Sequence, residues 1–322
     1  MERLIFVPIE PLEERYSTQW IKWFREEFKK RDIQFIEVGD DKPREITTGQ
    51  FLDVYDTNLY KLNQLTQIIE YIKLGFEGTI FFMDLWFPGI ETIAYIRDCA
   101  KRMIRVEGIL HAGTYDPNDF LAQNGCDIWG ADLEKCWLKW VDRVYVATDY
   151  HKALIDHTRG SYGRIEVVRF PCYVGEQRAE GERLNRVVFP HRLAPEKQPE
   201  VFREVEQRYR EQYGDDGTVF VRTKDVCKSK AEYYTLLAES KVAFSSALQE
   251  TFGIAMLEAY NLGCIPVVPD RISYKETFKT IKRYTSLKEA IEMVHNGIHN
   301  YKQPPLSEYV EDVSDIVRRI VI

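Results

Sequence analysis

Val242-Ala243-Phe244-Ser245-Ser246-Ala247-Leu248-Gln249-Glu250-Thr251-Phe252-Gly253-Ile254-Ala255-Met256-Leu257-Glu258-Ala259 is the stretch from which the fold is read. Residues 242–245 are a short apolar run of strand type. A turn of small residues containing Gly253 follows, and residues 254–259 read as a helix. A strand feeding through a tight turn into a helix is the repeating unit of a parallel sheet. The same alternation extends in both directions from here. Residues 186–189, 219–222 and 264–268 read as further strands with helical segments between them. Towards the amino terminus, residues 4–9, 33–38, 79–83, 105–111, 143–147 and 165–170 repeat the pattern. Residues 79–83 are wholly apolar and end at Asp84, the look of a central parallel strand with a polar residue at its carboxyl end.

The helical segments carry their own signals. Ser17 is a candidate N-cap, followed by Trp20, Phe24 and Phe28 at i, i+4 and i+8. Leu59, Leu62, Leu65, Ile69 and Ile72 make a second apolar stripe. A helix is expected to start near Pro199. Residues 306–322 form a last helix candidate, with Tyr309, Val313, Ile316 and Ile320 on one side, expected to cross back to the first half. The alternation fails over residues 173–185, which are polar and without period, and which are expected to be a linker. The resulting division is a first domain at 1–172, a second at 186–305 and the terminal helix at 306–322. Neither a repeat of 20–50 residues nor a low-complexity tract is visible.

With 322 residues, 44% of them hydrophobic and 13% aromatic, the chain can bury a core in each half. Its apolar runs are far shorter than the ~20 residues that span a bilayer, so no membrane partner is expected. The amino terminus enters a strand pattern at once, without the apolar stretch of a secretory signal, which predicts a cytoplasmic protein. Cys99, Cys126, Cys136, Cys172, Cys227 and Cys264 include no C-x-x-C pair, so neither disulfides nor a zinc site are expected. Cys99 and Cys264 lie in apolar patterns where a reduced thiol acts as a small hydrophobe. The net charge of −7 disfavours a protein coated in nucleic acid but allows a local basic groove.

Two places carry chemistry. After the strand at 186–189 comes Pro190-His191-Arg192-Leu193-Ala194-Pro195-Glu196-Lys197, a loop with two cations five residues apart. A guanidinium offers a planar fork for phosphate oxygens, and an ammonium adds a point charge. In the quoted stretch, Glu250 lies at the start of a helix and Glu258 two turns along it. Carboxylates accept paired hydrogen bonds from vicinal hydroxyls, and the N–H groups of Thr251, Phe252 and Gly253, with Ser246 nearby, face where a phosphate would sit. Taken singly, solvated loop cations and an ordinary amphipathic helix account for the same residues. Strand ends of the first half add Arg15 and Tyr16, Asp84 and Trp86, His111 and Tyr115. Open parallel sheets bind ligands at such carboxyl ends. His151, His157, His295 and His299 read as surface or helix residues.

Glu250-Thr-Phe-Gly-Ile-Ala-Met-Leu-Glu258, followed by Gly263-Cys-Ile-Pro-Val-Val-Pro269 and preceded by Arg192 and Lys197, resembles the retaining GT-B glycosyltransferases of family 4 type, with matching order and spacing over residues 187–276. The resemblance implies an α/β GT-B fold, two Rossmann-like doubly wound domains facing a cleft. It implies a nucleotide-sugar co-substrate, UDP- or GDP-linked, with Arg192 and Lys197 on the diphosphate, Glu250 on the sugar and Glu258 on the ribose. By position His111 matches a histidine over the donor sugar, and Asp84 falls on the acceptor side. A family feature is missing: residues 8–17 contain no glycine where many relatives have a Gly-Gly loop. No D-x-D triplet occurs, so metal-independent hexosyl or pentosyl transfer without a cofactor is expected, by front-face attack with retention.

Within that family the strings around Arg192 and Glu250 look closest to transferases acting on modified nucleosides, such as queuosine-tRNA mannosyltransferases and phage enzymes that decorate hydroxymethylated pyrimidines in DNA. The expected acceptor is a hydroxymethylated base in phage DNA, in a host cytoplasm, with a modified tRNA nucleoside or a glycan as alternatives. Lys29-Lys30-Arg31, Lys101-Arg102 and Arg222 with Lys224, Lys228 and Lys230 are candidate nucleic-acid contacts, or ordinary solvated helix faces. A GT-B-fold epimerase or phosphorylase and a non-catalytic sugar-nucleotide-binding scaffold are the competing classes.

Overall fold

A computed structural model of the chain describes residues 3–12, 16–40, 53–174, 181–309 and 312–320. The chain divides into two compact units, Met1–Pro171 with Glu311–Ile322, and Cys172–Val310. The first unit contains β1 (Arg3–Val7), α1 (Tyr16–Lys30), β2 (Gln34–Glu37), α2 (Val54–Lys73), β3 (Gly78–Phe82), α3 (Glu91–Ala100), β4 (Ile104–Ile109), α4 (Phe120–Gln123), α5 (Asp127–Trp140), β5 (Arg143–Val146), α6 (Asp149–Arg159) and β6 (Ile165–Val167). The second contains β7 (Leu184–Phe189), α7 (Pro199–Tyr213), β8 (Val219–Arg222), α8 (Thr223–Val226), α9 (Lys230–Ala238), β9 (Ser240–Phe244), α10 (Ile254–Asn261), β10 (Ile265–Val267), α11 (Tyr274–Thr277) and α12 (Leu287–His299). Helix α13 (Val313–Ile320) belongs to the first unit.

Both sheets are parallel. The first has the order β2-β1-β3-β4-β5-β6 and the second β10-β9-β7-β8. In each, the chain winds one way from its first strand and then reverses. The reversal lies between β1 and β3 in the first unit and between β7 and β9 in the second. Parallel sheets bind ligands outside the strand carboxyl ends at such a switch point.

Apolar strand residues fill the space beneath the helices. Phe6 of β1 stands in register with Phe81 of β3 and packs edge-on against Phe28 of α1 at a ring distance of 5.3 Å. Trp20, Phe24 and Phe28 are all buried, contributing roughly 1.5–3 kcal/mol each. Ser17 lies inside α1 instead of capping it, and its hydroxyl donates to Glu10 O at 3.3 Å.

Helix α2 differs from its expected face. Asp53 caps it, accepting from the N–H groups of Tyr55 and Asp56. The buried side runs through Tyr60, Gln64, Leu65, Ile68 and Ile72, whereas Leu59 and Leu62 are 63% and 52% exposed. Gln64 hid the true stripe. Its amide is buried because it donates to Pro8 O and Val38 O, which satisfies a polar group inside the core.

At the other end of the chain, the helix starts at Val313, and α13 packs on α1 with Arg143 donating to Arg319 O at 2.8 Å. Tyr309 precedes it and belongs to the second unit, where its hydroxyl bonds Glu276. Arg183, in the stretch expected to be a linker, is buried and donates to Ser240 O and Leu262 O at 3.0 and 2.6 Å. That anchor explains why β7 begins as early as Leu184. The six cysteines are free thiols; Cys264 is buried, whereas Cys99 is exposed on α3. Among the described residues no helix is long and apolar enough to cross a membrane.

Candidate functional site

In the second unit the loops after β7, β9 and β10 converge at the switch point. Strand β7 ends at Phe189, and His191 and Arg192 follow at once. Pro195 then opens a single tight turn, Pro195–Lys197, and Gln198 takes the left-handed conformation before Pro199 starts α7. This path turns Lys197 inward. Its ammonium donates to Gln249 O at 2.5 Å, Glu250 Oε1 at 2.9 Å and Gln249 Oε1 at 3.2 Å, in a setting that leaves the residue 5% exposed. Arg192 stays partly open and is paired with Glu196, one turn along.

The loop after β9 is laced to its neighbours. Ser245 Oγ lies 2.8 Å from His191 Nε2 and 2.9 Å from the Tyr274 hydroxyl, and its carbonyl accepts from Tyr284. Ser246 Oγ donates to Lys197 O and Gln198 O at 3.0 Å, so this residue ties the two loops through backbone contacts. Arg271, after β10, donates to Ala247 O, Ser246 O and Gln198 Oε1. His191 Nδ1 is 3.6 Å from Glu250. Burial, then the charges of Lys197 and Arg192, push the His191 ring well below the usual imidazole range, so it is neutral at physiological pH.

Gly253 begins α10 with φ at +88°, where a Cβ would meet Tyr274 Cε1 at 2.8 Å. Only glycine suits both the backbone and the approach. The first N–H groups of α10 have no partner within the helix, and the helix start carries partial positive charge. Phe252 is buried with its ring 6.3 Å from that of Tyr309, and Thr251 is also buried. Two turns along, buried Glu258 accepts from Lys230 Nζ at 2.7 Å and the Tyr234 hydroxyl at 2.8 Å. Burial and the Glu258 carboxylate push the neighbouring Tyr233 phenol and Cys172 thiol well up.

In the first unit, His111 follows β4. Its Nε2 donates to Met83 O at 2.8 Å, which leaves Nδ1 to accept from the Tyr16 hydroxyl at 3.4 Å. The ring is packed among Tyr16, Trp20 and Phe170. Burial lowers its pKa, opposed in part by the Asp84 carboxylate. Asp84 Oδ1 accepts from Trp86 N, and Oδ2 lies 3.6 Å from Lys61 Nζ. His111, Tyr16 and Asp84 are thus placed around the ends of β1, β3 and β4.

Two further candidates sit elsewhere. Trp86 is 8% exposed, packed edge-on against Trp129 and Trp137, and its indole N–H donates to Glu134 Oε1. Tyr115 is in the core with its hydroxyl 2.6 Å from His151 Nε2. Both side chains are buried and engaged within the first unit. Glu134 gathers four donors: Trp86 Nε1, Thr114 N, Thr114 Oγ1 and Arg159 Nε. His151, read from sequence as a surface or helix residue, is fully buried on α6. Arg15 lies outside the described residues.

No family model matches the chain. The tRNA-queuosine alpha-mannosyltransferase of Drosophila melanogaster is 26% identical over 161 residues, which cover 42% of this chain and 43% of the relative. The match therefore spans less than half the length of that protein. Among solved structures, sucrose-phosphate synthase from Thermosynechococcus elongatus superposes with a TM-score of 0.63 at 12% identity, over 100% of this chain and 94% of that one. The UDP-forming alpha,alpha-trehalose-phosphate synthase from Burkholderia vietnamiensis gives 0.61 at 12%, over 99% and 95%. S. aureus TarM, solved in complex with UDP, gives 0.53 at 12%, over 81% and 56%. At that identity the likeness speaks of fold. The fold is GT-B.

Several residues of this GT-B chain's candidate site escaped the sequence reading. Gln249, Tyr274, Arg271, Tyr234 and, as a partner of Glu258, Lys230 reach it from separate elements, and no local pattern marks such a meeting. His191 lies in the loop after β7, but its neighbour Ser245 is 54 residues away. Some of the basic stretches are engaged within their own unit. Arg31 pairs with Glu27, Arg222 with Asp225 and Lys230 with Glu258.

Proposed function

We propose that this chain is a nucleotide-sugar-dependent glycosyltransferase. The observation that carries the reading is the Lys197–Glu250 pair, its lysine buried and its carboxylate half-buried, at the switch point of the second sheet. Burying an ion pair is costly and is weak evidence for stability alone; placed where parallel sheets take ligands, it suits a site that must receive charge. Arg192 and Lys197 take the diphosphate of the donor, with the start of α10 facing the same phosphates. Lys197 has one long hydrogen bond, to Gln249 Oε1, that a phosphate oxygen replaces at little cost. Glu250 holds sugar hydroxyls, and Glu258, oriented by Lys230 and Tyr234, holds the ribose. Tyr16 and Asp84 are the acceptor-side set of the first unit, and His111 is its catalytic candidate.

In the transfer, the bond between the sugar's anomeric carbon and the diphosphate oxygen breaks, and a bond from the acceptor oxygen to that carbon forms on the same face. The acceptor proton passes to the departing phosphate oxygen, so no protein nucleophile is needed and configuration is retained. The two cations and the helix start stabilise the charge that develops on the diphosphate, the task a metal ion performs elsewhere. The acceptor we propose is a modified tRNA nucleoside. The partial likeness to tRNA-queuosine alpha-mannosyltransferase supports it over a hydroxymethylated base in DNA.

The test is transfer followed by intact mass. The full chain is mixed with UDP- and GDP-sugars and with queuosine-containing tRNA, hydroxymethylated DNA or simple glycans. A sugar mass added to the tRNA is the expected result. Addition to DNA or glycan alone overturns the acceptor, and a chain that neither binds nor cleaves any donor overturns the transferase reading.

A further inference from the structure

At the amino-terminal end of the second sheet, away from the loops that hold Lys197, two histidines and an aspartate converge. Helix α12 ends with His295 and His299, one turn apart on the same side, their rings 4.3 Å from centre to centre. Asp216 lies in the loop between α7 and β8, three residues before the strand begins. One ligand atom from each of the three lies within 4.8 Å of the other two.

The neighbours hold these groups in a set orientation. Asp216 Oδ1 accepts from Thr218 N at 3.0 Å, which turns Oδ2 towards the imidazoles. Oδ2 accepts from the buried Tyr209 hydroxyl at 2.6 Å and from His299 Nε2 at 2.8 Å. The His295 ring is stacked on Tyr213, 3.8 Å between centres and 8° from parallel, with Nδ1 at 3.2 Å from the Tyr209 oxygen. Two imidazoles from one helix turn and a carboxylate from a separate loop make a nitrogen–oxygen donor set suited to borderline divalent ions, zinc foremost. Hydrogen-bonded partners such as Tyr209 and Thr218 are what keep metal ligands aimed.

We propose that His295, His299 and Asp216 form a zinc-binding site that pins β8, the edge strand of the second sheet, to the end of α12. The ion replaces the proton shared between His299 and Asp216 and binds three protein ligands, with water completing a tetrahedral shell. The site lies beyond the strand amino termini, so it is separate from the donor-site reading and does not depend on it.

The test uses the full chain, stripped with chelator and titrated with zinc alone in competition with a zinc-sensitive dye. The expected result is one tight equivalent per chain. His299→Ala, at a partly exposed position, weakens it by at least about 100-fold, since loss of even an outer partner costs 10–100-fold. The conservative His299→Gln, checked for an unchanged circular dichroism spectrum, weakens it likewise. Cobalt in place of zinc gives the visible bands of a tetrahedral nitrogen–oxygen site without thiolate charge transfer. A wild-type chain that takes up no zinc, a His295→Ala/His299→Ala variant that keeps the tight equivalent, or thiolate bands in the cobalt spectrum overturns the proposal.

Discussion

Lys197 Nζ lies 2.9 Å from Glu250 Oε1, with both side chains largely withdrawn from water. The pair joins the loop after β7 to the loop after β9. Each partner is held by the charge of the other, and Gln249 supplies two further acceptors to the ammonium. Removing one partner leaves the other charge buried alone, which costs more than the pair contributes.

Lys197→Ala should therefore destabilise the second unit by about 3 kcal/mol as well as impair transfer. Urea unfolding of the variant reads the first effect, and donor turnover reads the second. An unchanged unfolding midpoint means that the pair carries no structural weight.

Glu258→Ala removes the acceptor for Lys230 and Tyr234. Hydrogen bonds to charged groups contribute about 1.5–3 kcal/mol, so nucleoside diphosphate affinity should fall ~10-fold or more, with a smaller effect on kcat. Calorimetry with the free nucleotide measures this directly. Equal affinity in variant and wild type removes Glu258 from the ribose.

Gly253→Ala places a side chain at φ +88° and within 2.8 Å of Tyr274. Left-handed backbone strain alone costs about 1–2 kcal/mol, and Gly253→Ala should lose clearly more, because Tyr274 must also leave Ser245. A loss no larger than the strain alone, read by denaturant titration, refutes the role given to that close approach.

His151 sets a pH dependence in the first unit. Burial and the nearby His111 push its ring down to about 3, and its Nδ1 has no hydrogen-bond partner among the described residues. The unfolded ring titrates near the ordinary value of 6.5. Between those values the unfolded chain binds a proton that the folded chain does not. The stability is thus fully present above pH 6.5 and is lost as pH falls towards 3, by about 1.4 kcal/mol per pH unit. Denaturant midpoints from pH 7 to 5 should fall, and fall less steeply in His151→Gln. Parallel slopes for the two proteins would falsify this assignment.

The parts legible in the sequence are those written in consecutive residues. The strands around Phe6, Phe81 and Phe244 announced themselves as apolar runs, and the strand–Gly253–helix unit set Glu250 and Glu258 in their places. Features made by distant partners were hidden. Trp86 reads as a possible stacking face until Glu134, 48 residues on, binds its indole. His151 reads as a helix-surface residue until Tyr115 covers it. Gln64 interrupts the apolar stripe of α2, so the stripe appears one residue out of place. The Asp216–His299 contact, 83 residues apart, leaves no local trace at all.

The bridge from His191 through Ser245 to Tyr274 bears on how this protein can change. It fastens three loops that leave three different strands, and Arg271 fastens them again. They form one mechanical part. A substitution in any of them is felt by the other two, so altered ligand preference requires coordinated changes in all three. Single substitutions here should more often loosen the whole block than retune it.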